Sequence, residues 1–428
     1  MNRIRGLCLV LALGAGLPTA IQAQQTQFKD SKYTKDADKF VALAMTRSDK
    51  ADRQNFYRQA MSALQEGFTK EPQNAKIWFS AGQIHVGLSN YLAADSAFDK
   101  AVQMHPEAAT DAEAEREAGW MQAFNEGVEL MDAQQYDQAL TVLLAAEELY
   151  SKRPEGLLNI GSIHANKGDN QSAEEAFRKA ADAAQGELYA KLDTAQQAQW
   201  RSFVEMSTLN IAQIRGARGV DHFNADQLDE AAAAFKSAFD VNPYSRDYMF
   251  NFVQARYAKA SKLEEQLETT PAALQQLKPQ LVQLYTDIQR DIPKVREFDP
   301  TNENIQLIHA RAVRRIGELN GDTMPAREAA LRILQANDDI PVEIMELAIS
   351  TDQGTATING KIRNKKLNPG TPVTVKLTLI GYKGDTIGQM TVTVNAGASG
   401  EAAEMVTFQQ TGTVTGQVAG WKYEVSNT

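Results

Sequence analysis

Three of the five histidines recur at one position of a repeating pattern, where imidazole groups could act as metal ligands. His85, His164 and His222 each stand three residues after a glycine. A zinc ion needs its ligands at about 2 Å, whereas equivalent side chains on successive helix pairs lie further apart than the roughly 8–10 Å between packed helices. We therefore predict that these histidines pack between helices and that the protein holds neither a metal ion nor a cofactor.

Adjacent carboxylates are the second feature that could be catalytic. Glu147-Glu148 and Glu174-Glu175 could supply the two converging acids that glycoside hydrolysis requires. Their helical surroundings instead favour a solvated helix face. The sequence contains no HExxH motif, P-loop, dinucleotide loop or calcium loop, and Gly397–Gly400 lacks the spacing of a nucleophile elbow. We therefore expect a protein that is not an enzyme.

The N-terminus has the composition of an export signal. Two arginines precede the apolar stretch Leu7–Leu17, and small or polar residues follow up to Ala23. The stretch is too short to cross a bilayer, so we predict a cleaved signal peptide over residues 1–23, a flexible N-terminus over 24–33 and no transmembrane segment. The predicted location is the periplasm or the cell envelope. The mature protein would lack Cys8, the only cysteine of the chain.

Charge and length limit the classes of partner. The chain has 428 residues and a formal net charge of −10, from 54 acidic and 44 basic side chains. An acidic surface repels phosphate backbones, and no basic stripe interleaved with aromatic residues offsets this repulsion, so we expect no nucleic-acid binding. A chain of this length exceeds one compact core, which indicates at least two structural units. The oligomeric state is left open.

A pattern of glycine, alanine and large apolar residues recurs four times. A glycine is followed by an alanine after twelve residues, a large apolar residue after four more and an alanine after a further three. The second and third units are 34 residues apart, while insertions separate the others. The units are Gly82-Ala94-Phe98-Ala101, Gly127-Ala139-Leu143-Ala146, Gly161-Ala173-Phe177-Ala180 and Gly219-Ala231-Phe235-Ala238, and Pro106 and Pro243 close two of them.

Each unit predicts a pair of packed helices. A glycine within a helix weakens it by about 1 kcal/mol relative to alanine, which is tolerated where a partner helix must approach closely. We expect the small residues Ala94 and Ala173 of the second helix to permit this approach. The phenylalanines four residues further on are expected to fill the space between successive pairs. One pair cannot bury its apolar face alone, so several pairs must stack into a solenoid.

These residues resemble the tetratricopeptide repeat family, and Trp78 near the start of its unit strengthens the resemblance. The resemblance implies a helical solenoid over residues 34–322 that binds other macromolecules, followed by a short helix and linker over 323–340. Three insertions, which could be binding arms or longer packing helices, interrupt the array near residues 107–116, between 161 and 219 and between 243 and 300.

After Asp339 the pattern changes to alternating apolar and polar residues, which is typical of β-strands. Turn residues separate the strands and predict an antiparallel β-sandwich over residues 341–428. The predicted strands are Val342–Ser350, Thr355–Arg363, Val373–Ile380, Gln389–Val394, Glu404–Phe408 and Gly420–Val425. The predicted fold is thus multidomain, with an α-helical tetratricopeptide solenoid followed by a small all-β antiparallel sandwich.

Part of the predicted sandwich resembles a small bacterial domain named after a Phe-x-Leu-Tyr-Asp motif. The resemblance lies in Gly360–Asn364 and the following Val373–Gly381, where Leu377–Gly381 corresponds to the motif without its aromatic and acidic residues. The resemblance implies an adhesive or spacer module outside the cytoplasm and no catalytic residue.

The concave groove of the solenoid is the predicted binding surface. Family members that grip a C-terminal carboxylate use Lys, Arg and Asn there, and apolar residues largely replace that set here. An apolar groove suits a protein or peptide partner such as an amphipathic helix, unless the protein's own N-terminal or inserted helix fills it. The predicted lining residues are Lys76, Phe79, Gln83, Val86, Phe124, Val128, Met131, Leu158, Ser162, Ala165, Val220 and Phe223.

Two functions remain in competition. The first is an exported, non-catalytic scaffold that binds a protein or peptide through the groove. The second is a carbohydrate-binding or polymer-export accessory protein of the cell envelope, which would need an aromatic platform open to solvent. The candidates for that platform are Trp78, Trp120, Trp200 and Trp421, of which Trp78 is expected in the core and Trp421 on a strand.

Overall fold

The structure, a computed structural model, describes residues 28–352, 354–400 and 405–427. The predicted signal peptide and residues 24–27 of the predicted flexible N-terminus lie outside the described residues. The described part of the chain forms fourteen α-helices followed by six β-strands. The helices are α1 Lys32–Met45, α2 Lys50–Lys70, α3 Ala75–Gly87, α4 Tyr91–Met104, α5 Ala109–Asp132, α6 Tyr136–Leu149, α7 Pro154–Lys167, α8 Asn170–Ala183, α9 Thr194–Asn224, α10 Leu228–Val241, α11 Arg246–Thr269, α12 Leu274–Phe298, α13 Glu303–Asn320 and α14 Thr323–Asp338.

Within α1 to α8 and within α10 to α14, consecutive helices pack against one another as in a solenoid of the tetratricopeptide type, as predicted. The prolines act as expected, because α4 and α10 end two residues before Pro106 and Pro243. The insertions are helical: α5 and α11 each contain 24 residues, α12 contains 25 and α9 contains 31. The contacts between residues divide the chain into two compact units, one ending at Ser207 and one beginning at Thr208.

The phenylalanines of the pattern contact the glycines of the same pattern. A Cβ added to Gly82 would lie 2.5 Å from Phe98 Cε1, and one added to Gly161 would lie 2.8 Å from Phe177 Cε1. The large residue therefore packs directly on the glycine of its own hairpin. The glycine is needed because an aromatic ring occupies the place of its side chain.

The strands form two three-stranded antiparallel sheets, in the orders β1-β2-β5 and β4-β3-β6. The alternation predicted for β3 is confirmed, because Val373, Val375, Leu377 and Leu379 are all fully buried between the sheets. The sandwich belongs to the same compact unit as α10 to α14. The strands are β1 Val342–Asp352, β2 Thr355–Asn364, β3 Pro372–Gly381, β4 Thr386–Asn395, β5 Met405–Thr413 and β6 Val418–Asn427.

Candidate binding site

On α3, the predicted binding residue Phe79 is covered by the chain itself. Its side chain is 6% exposed, and the centroid of the Phe28 ring lies 4.8 Å from that of Phe79. Phe28 also lies 5.5 Å from the ring of His105, and the ammonium group of Lys76 lies 5.6 Å from the Phe28 centroid. The segment that precedes α1 therefore fills this part of the predicted groove.

The other predicted residues of α3 face α5. Gln83 Nε2 donates to Glu115 Oε1 at 2.7 Å, and a Cβ added to Gly119 would lie 2.9 Å from Val86 Cγ2. Burial raises the pKa of the Glu115 carboxyl above its usual value. Gln83 and Val86 are partly exposed, and their contacts with α5 occupy this part of the predicted groove.

Four predicted residues of α5 and α7 lie in the interior, namely Phe124, Met131, Leu158 and Ser162. The ring of Phe124 stacks on that of Trp120 with 5.1 Å between centroids, and Ser162 Oγ donates to the carbonyl oxygen of Leu158 at 2.9 Å. Their burial leaves them no open surface for a partner. Repeat spacing fixes the face of a helix on which a residue lies, but it does not reveal what packs against that face. Val128 and Ala165 are partly exposed.

The last two predicted residues, Val220 and Phe223 on α9, are brought together at an open cavity. Their side chains are 43% and 38% exposed. The cavity has a volume of about 330 Å³. Phe235 of α10 and the amide side chains Asn251 and Gln254 of α11 complete its lining. We call this site the α9–α11 cavity.

The lining of the α9–α11 cavity combines an apolar wall with two amide groups. Each amide offers both donors and an acceptor, which is the combination that matches a peptide backbone. Within the described residues, the side-chain amides of Asn251 and Gln254 have no hydrogen-bond partner, so both groups are available to a ligand. No lining residue is titratable, so the lining supplies no general acid or base.

Asn251 and Gln254 were not identified from the sequence, because α11 lacks the glycine that marks the other units. Val253 is the eighth residue of α11, as Gly82 is of α3 and Gly161 is of α7. Gln254 therefore takes the position that Gln83, Ser162 and Val220 occupy in their units. Counting from the helix start instead of from the glycine would have revealed it.

One of the paired acids contradicts the prediction of a solvated helix face. Glu147 Oε2 is enclosed although the residue as a whole is only half-buried, and Trp120 Nε1 donates to Oε1 at 3.0 Å. Burial raises the pKa of Glu147 to about 8. The cause is Gly156 of α7, which packs so closely on Glu147 Oε1 that no Cβ would fit. Glu175, in contrast, forms an exposed ion pair with Lys179 at 2.9 Å.

The histidines of the repeated position lie near the turns between paired helices. His164 Nδ1 lies 3.1 Å from Asp169 Oδ2, and His222 Nδ1 lies 2.6 Å from Gln227 Oε1. Burial lowers the pKa of His85 below its usual value. In the described ranges, no group of three or more His, Cys, Asp or Glu residues is arranged to hold a metal ion.

None of the four tryptophans is an exposed platform. Trp120 and Trp200 are buried, whereas Trp78 and Trp421 are half-buried. Trp78, which was expected in the core, packs on Phe68 at 4.7 Å between centroids and lies under the Lys100 ammonium group at 4.1 Å. Trp421 lies on β6, as expected, under the Arg246 guanidinium at 4.5 Å. A cation thus covers each of the two partly exposed rings.

Comparison with known proteins supports the repeat assignment. The tetratricopeptide repeat family model matches residues 46–110 and 124–187. No curated protein sequence matches the chain. In the part of the chain that is described, no helix combines the length and apolarity needed to cross a membrane.

Three solved structures illustrate what this chain is similar to. MamA from Desulfovibrio magneticus RS-1 is 16% identical over 48% of this chain and 94% of its own, with a TM-score of 0.18. YrrB, described as a TPR protein with an unusual peptide-binding site, is 16% identical over 56% and 93%, with a TM-score of 0.22. The P58(IPK) TPR domain is 13% identical over 71% and 99%, with a TM-score of 0.23.

The assignment of the repeats therefore rests on the family match and on the helical hairpins, and not on these low TM-scores. The match covers α2 to α4, part of α5 and α6 to α8, and the glycine–phenylalanine and glycine–leucine pairs of these helices follow the repeat spacing. The chain contains tetratricopeptide repeats within a helical solenoid, and this solenoid is followed by two small antiparallel sheets.

Proposed function

We propose that the protein is a non-catalytic scaffold that binds a peptide segment of a protein partner in the α9–α11 cavity. The observation that carries this proposal is the cavity's combination of exposed Val220 and Phe223 with the unpartnered amides of Asn251 and Gln254. The apolar wall suits an apolar side chain of the ligand, and the amides suit the neighbouring peptide groups. An amphipathic helix that presents one such side chain is a second geometry for the same ligand class.

The negative net charge of the chain limits which partners it can bind. With a net charge of −10, the chain favours ligands that are neutral or basic outside the apolar contact.

The proposal includes export to the periplasm or cell envelope, which is supported by the composition of residues 1–23. It also includes a relationship of the sandwich to the Phe-x-Leu-Tyr-Asp domain, supported by Gly360–Asn364 and Val373–Gly381.

The test is a selection of displayed twelve-residue random peptides on residues 24–428, followed by fluorescence anisotropy with the selected peptides. We expect peptides with one central aliphatic or aromatic residue. Phe223→Asp should weaken their binding at least about tenfold, and Asn251→Ala or Gln254→Ala should weaken it several-fold, because each change removes one side of the cavity.

The matched control is Leu331→Asp on α14, since Leu331 is 57% exposed and does not line the cavity. Circular dichroism establishes that each variant is folded. The proposal is wrong if the selected peptides bind Phe223→Asp and Leu331→Asp equally well.

A further inference from the structure

The β-sandwich is joined to the solenoid through a buried polar network at the connection between α12 and α13. The carboxylate of Asp299, which is only 3% exposed, accepts hydrogen bonds from Tyr423 Oη, from Arg246 Nη1 at 3.2 Å and from Asn302 Nδ2 at 3.0 Å. A buried carboxylate is tolerated only when it is paired in this way. Tyr423 lies on β6, so the last strand supplies one of the groups that Asp299 requires.

The first strand is bound to the same connection. Thr301 Oγ1 lies 2.7 Å from Tyr423 Oη and accepts a hydrogen bond from the backbone N–H of Ile344 on β1 at 3.0 Å. Both Thr301 and Tyr423 are buried. One threonine therefore contacts both sheets of the sandwich.

A second connection, between α10 and α11, also contacts the sandwich. Asn242 Nδ2 donates to the carbonyl oxygen of Ala419 at 2.7 Å. Next to this bond, Gly420 packs on the backbone of Tyr244 and Gly384 packs on its phenol, so closely that neither glycine has room for a Cβ. Any larger residue at position 420 would displace backbone, because the obstructing atom is the Tyr244 carbonyl oxygen.

Arg246 links the two connections. It is the first residue of α11, and its guanidinium donates to Asp299 and lies over the ring of Trp421 at 4.5 Å. The sandwich, the start of α11 and the end of α12 are thus fixed together by charged and aromatic groups. A flexibly tethered spacer domain would show none of these buried contacts.

We propose that the sandwich is a brace that holds α10 and α11 at the angle required by the α9–α11 cavity. The same connection that Asn242 and Gly420 fix determines where α10 presents Phe235 and where α11 presents Asn251 and Gln254. The brace thereby positions binding residues that it does not contact. This inference rests on the proposed function for the identity of the ligand. The coupling between the sandwich and helices α10 and α11 is inferred from the contacts alone.

The test compares Gly420→Val with Gly416→Val in the chain of residues 24–428. Gly416 provides the matched control, because a Cβ added there meets no atom within 4 Å. Hydrogen exchange of the amides of α10 and α11 measures the coupling, and anisotropy with the selected peptides measures the cavity. Gly420→Val should accelerate exchange in both helices and weaken peptide binding on the order of tenfold, and Gly416→Val should change neither.

Unchanged exchange in α10 and α11 despite the Gly420→Val substitution would overturn the brace. So would faster exchange combined with unaltered peptide affinity. If the unsubstituted protein selects no peptide, the proposed function fails, and the exchange measurement still decides whether the sandwich holds the helices. If Gly420→Val does not fold, Tyr423→Phe replaces it, since this substitution deletes only a hydroxyl group. Hydrogen exchange and peptide anisotropy are then measured on Tyr423→Phe.

Discussion

Phe98 occupies the space that a side chain on Gly82 would need, with its Cε1 atom 2.5 Å from the position of a Cβ on that glycine. The same relationship joins Gly219 to Phe235 at 2.6 Å, and a leucine takes the place of the ring where Gly127 faces Leu143 at 2.7 Å. The glycine and the large residue sixteen positions later therefore form one packing unit. Each of the four hairpins that carry the repeated pattern is closed by such a pair.

This pairing predicts a strong and coupled response to substitution. Gly82→Ala should lower the free energy of unfolding by about 1–3 kcal/mol, since overpacking outweighs the gain in helix propensity. In the Phe98→Ala background, Gly82→Ala should lower the free energy of unfolding by at least about 1 kcal/mol less, because the ring that obstructs the new Cβ is absent. Urea denaturation of the original protein, the two single variants and the double variant measures this difference in the free energy of unfolding. Additive effects would show that the two residues do not form a unit.

The turns between paired helices predict a stabilising substitution. Gln134, which joins α5 to α6, has φ of 60°, a left-handed conformation that costs a non-glycine residue roughly 1–2 kcal/mol. The equivalent turn between α7 and α8 uses Gly168. Gln134→Gly should therefore raise the free energy of unfolding by about 0.5–1 kcal/mol.

The neighbouring Gln135 gives the control for that substitution, because its φ is −89°. Gln135→Gly should leave the protein unchanged or less stable. Equal denaturation midpoints for the two glycine variants would contradict the explanation from backbone conformation.

The enclosed carboxyl of Glu147 predicts a specific dependence of stability on pH. Its folded-state pKa of about 8 exceeds the ordinary value of 4.5, so the folded protein keeps a proton that the unfolded chain releases between these values. The contribution of this group is thus most favourable below about pH 4.5 and is lost as the pH rises towards 8. Glu147→Gln should be more stable than the original protein at pH 8 by on the order of 1–3 kcal/mol.

The difference should shrink as the pH is lowered and vanish near pH 4.5. Thermal unfolding over this pH range measures it, with Glu148→Gln as the control, because Glu148 is exposed. A constant difference between the Glu147→Gln variant and the original protein at every pH would show that the carboxyl is solvated.

The cover over Phe79 predicts a change in accessibility. Phe28 is the residue before α1 that packs on Phe79, so Phe28→Ala should open this position to solvent. A thiol placed there by Phe79→Cys should react with a maleimide at least about tenfold faster in the Phe28→Ala background, because reaction requires access. Residues 24–428 contain no other cysteine, which makes the labelling specific. Lys29→Ala is the control, and equal rates in both backgrounds would show that other residues enclose Phe79.

The sequence was sufficient to predict the helices and strands, because their signals are local. The spacing of Gly161, Ala173 and Phe177 places these residues on facing sides of two helices, and the alternation of Val373, Val375 and Leu377 requires a strand with one buried face. The prolines at 106 and 243 also act locally, on the helices that precede them.

The binding surface was predicted less well, because burial depends on elements that are distant in the sequence. Phe124 has the right position on its helix for a groove residue, but it stacks on Trp120 in the interior. The sequence around Glu147 predicts a solvated acid, whereas in the structure Gly156 of α7 packs on its carboxylate. Val220 and Phe223 combine the predicted position with an open cavity.

The docking of the sandwich was not predicted for a similar reason. Asp299 and Thr301 follow the end of a helix, where polar residues are expected to face water, and nothing nearby in the sequence indicates their partners. Tyr423 is 124 residues from Asp299 and 122 residues from Thr301. Contacts of such separation carry no repeat spacing and no periodicity from which they could be inferred.

The network around Asp299 has a consequence for how the protein is made on the ribosome. The chain is synthesised from its N-terminus, so α11, α12 and α13 are made well before β6, which carries Tyr423. Until β6 has been made, Asp299 lacks one of its donors and Asn242 lacks its acceptor at Ala419. These helices therefore reach their final arrangement only after β6 has been added, and a truncated product that lacks this strand would keep both connections open.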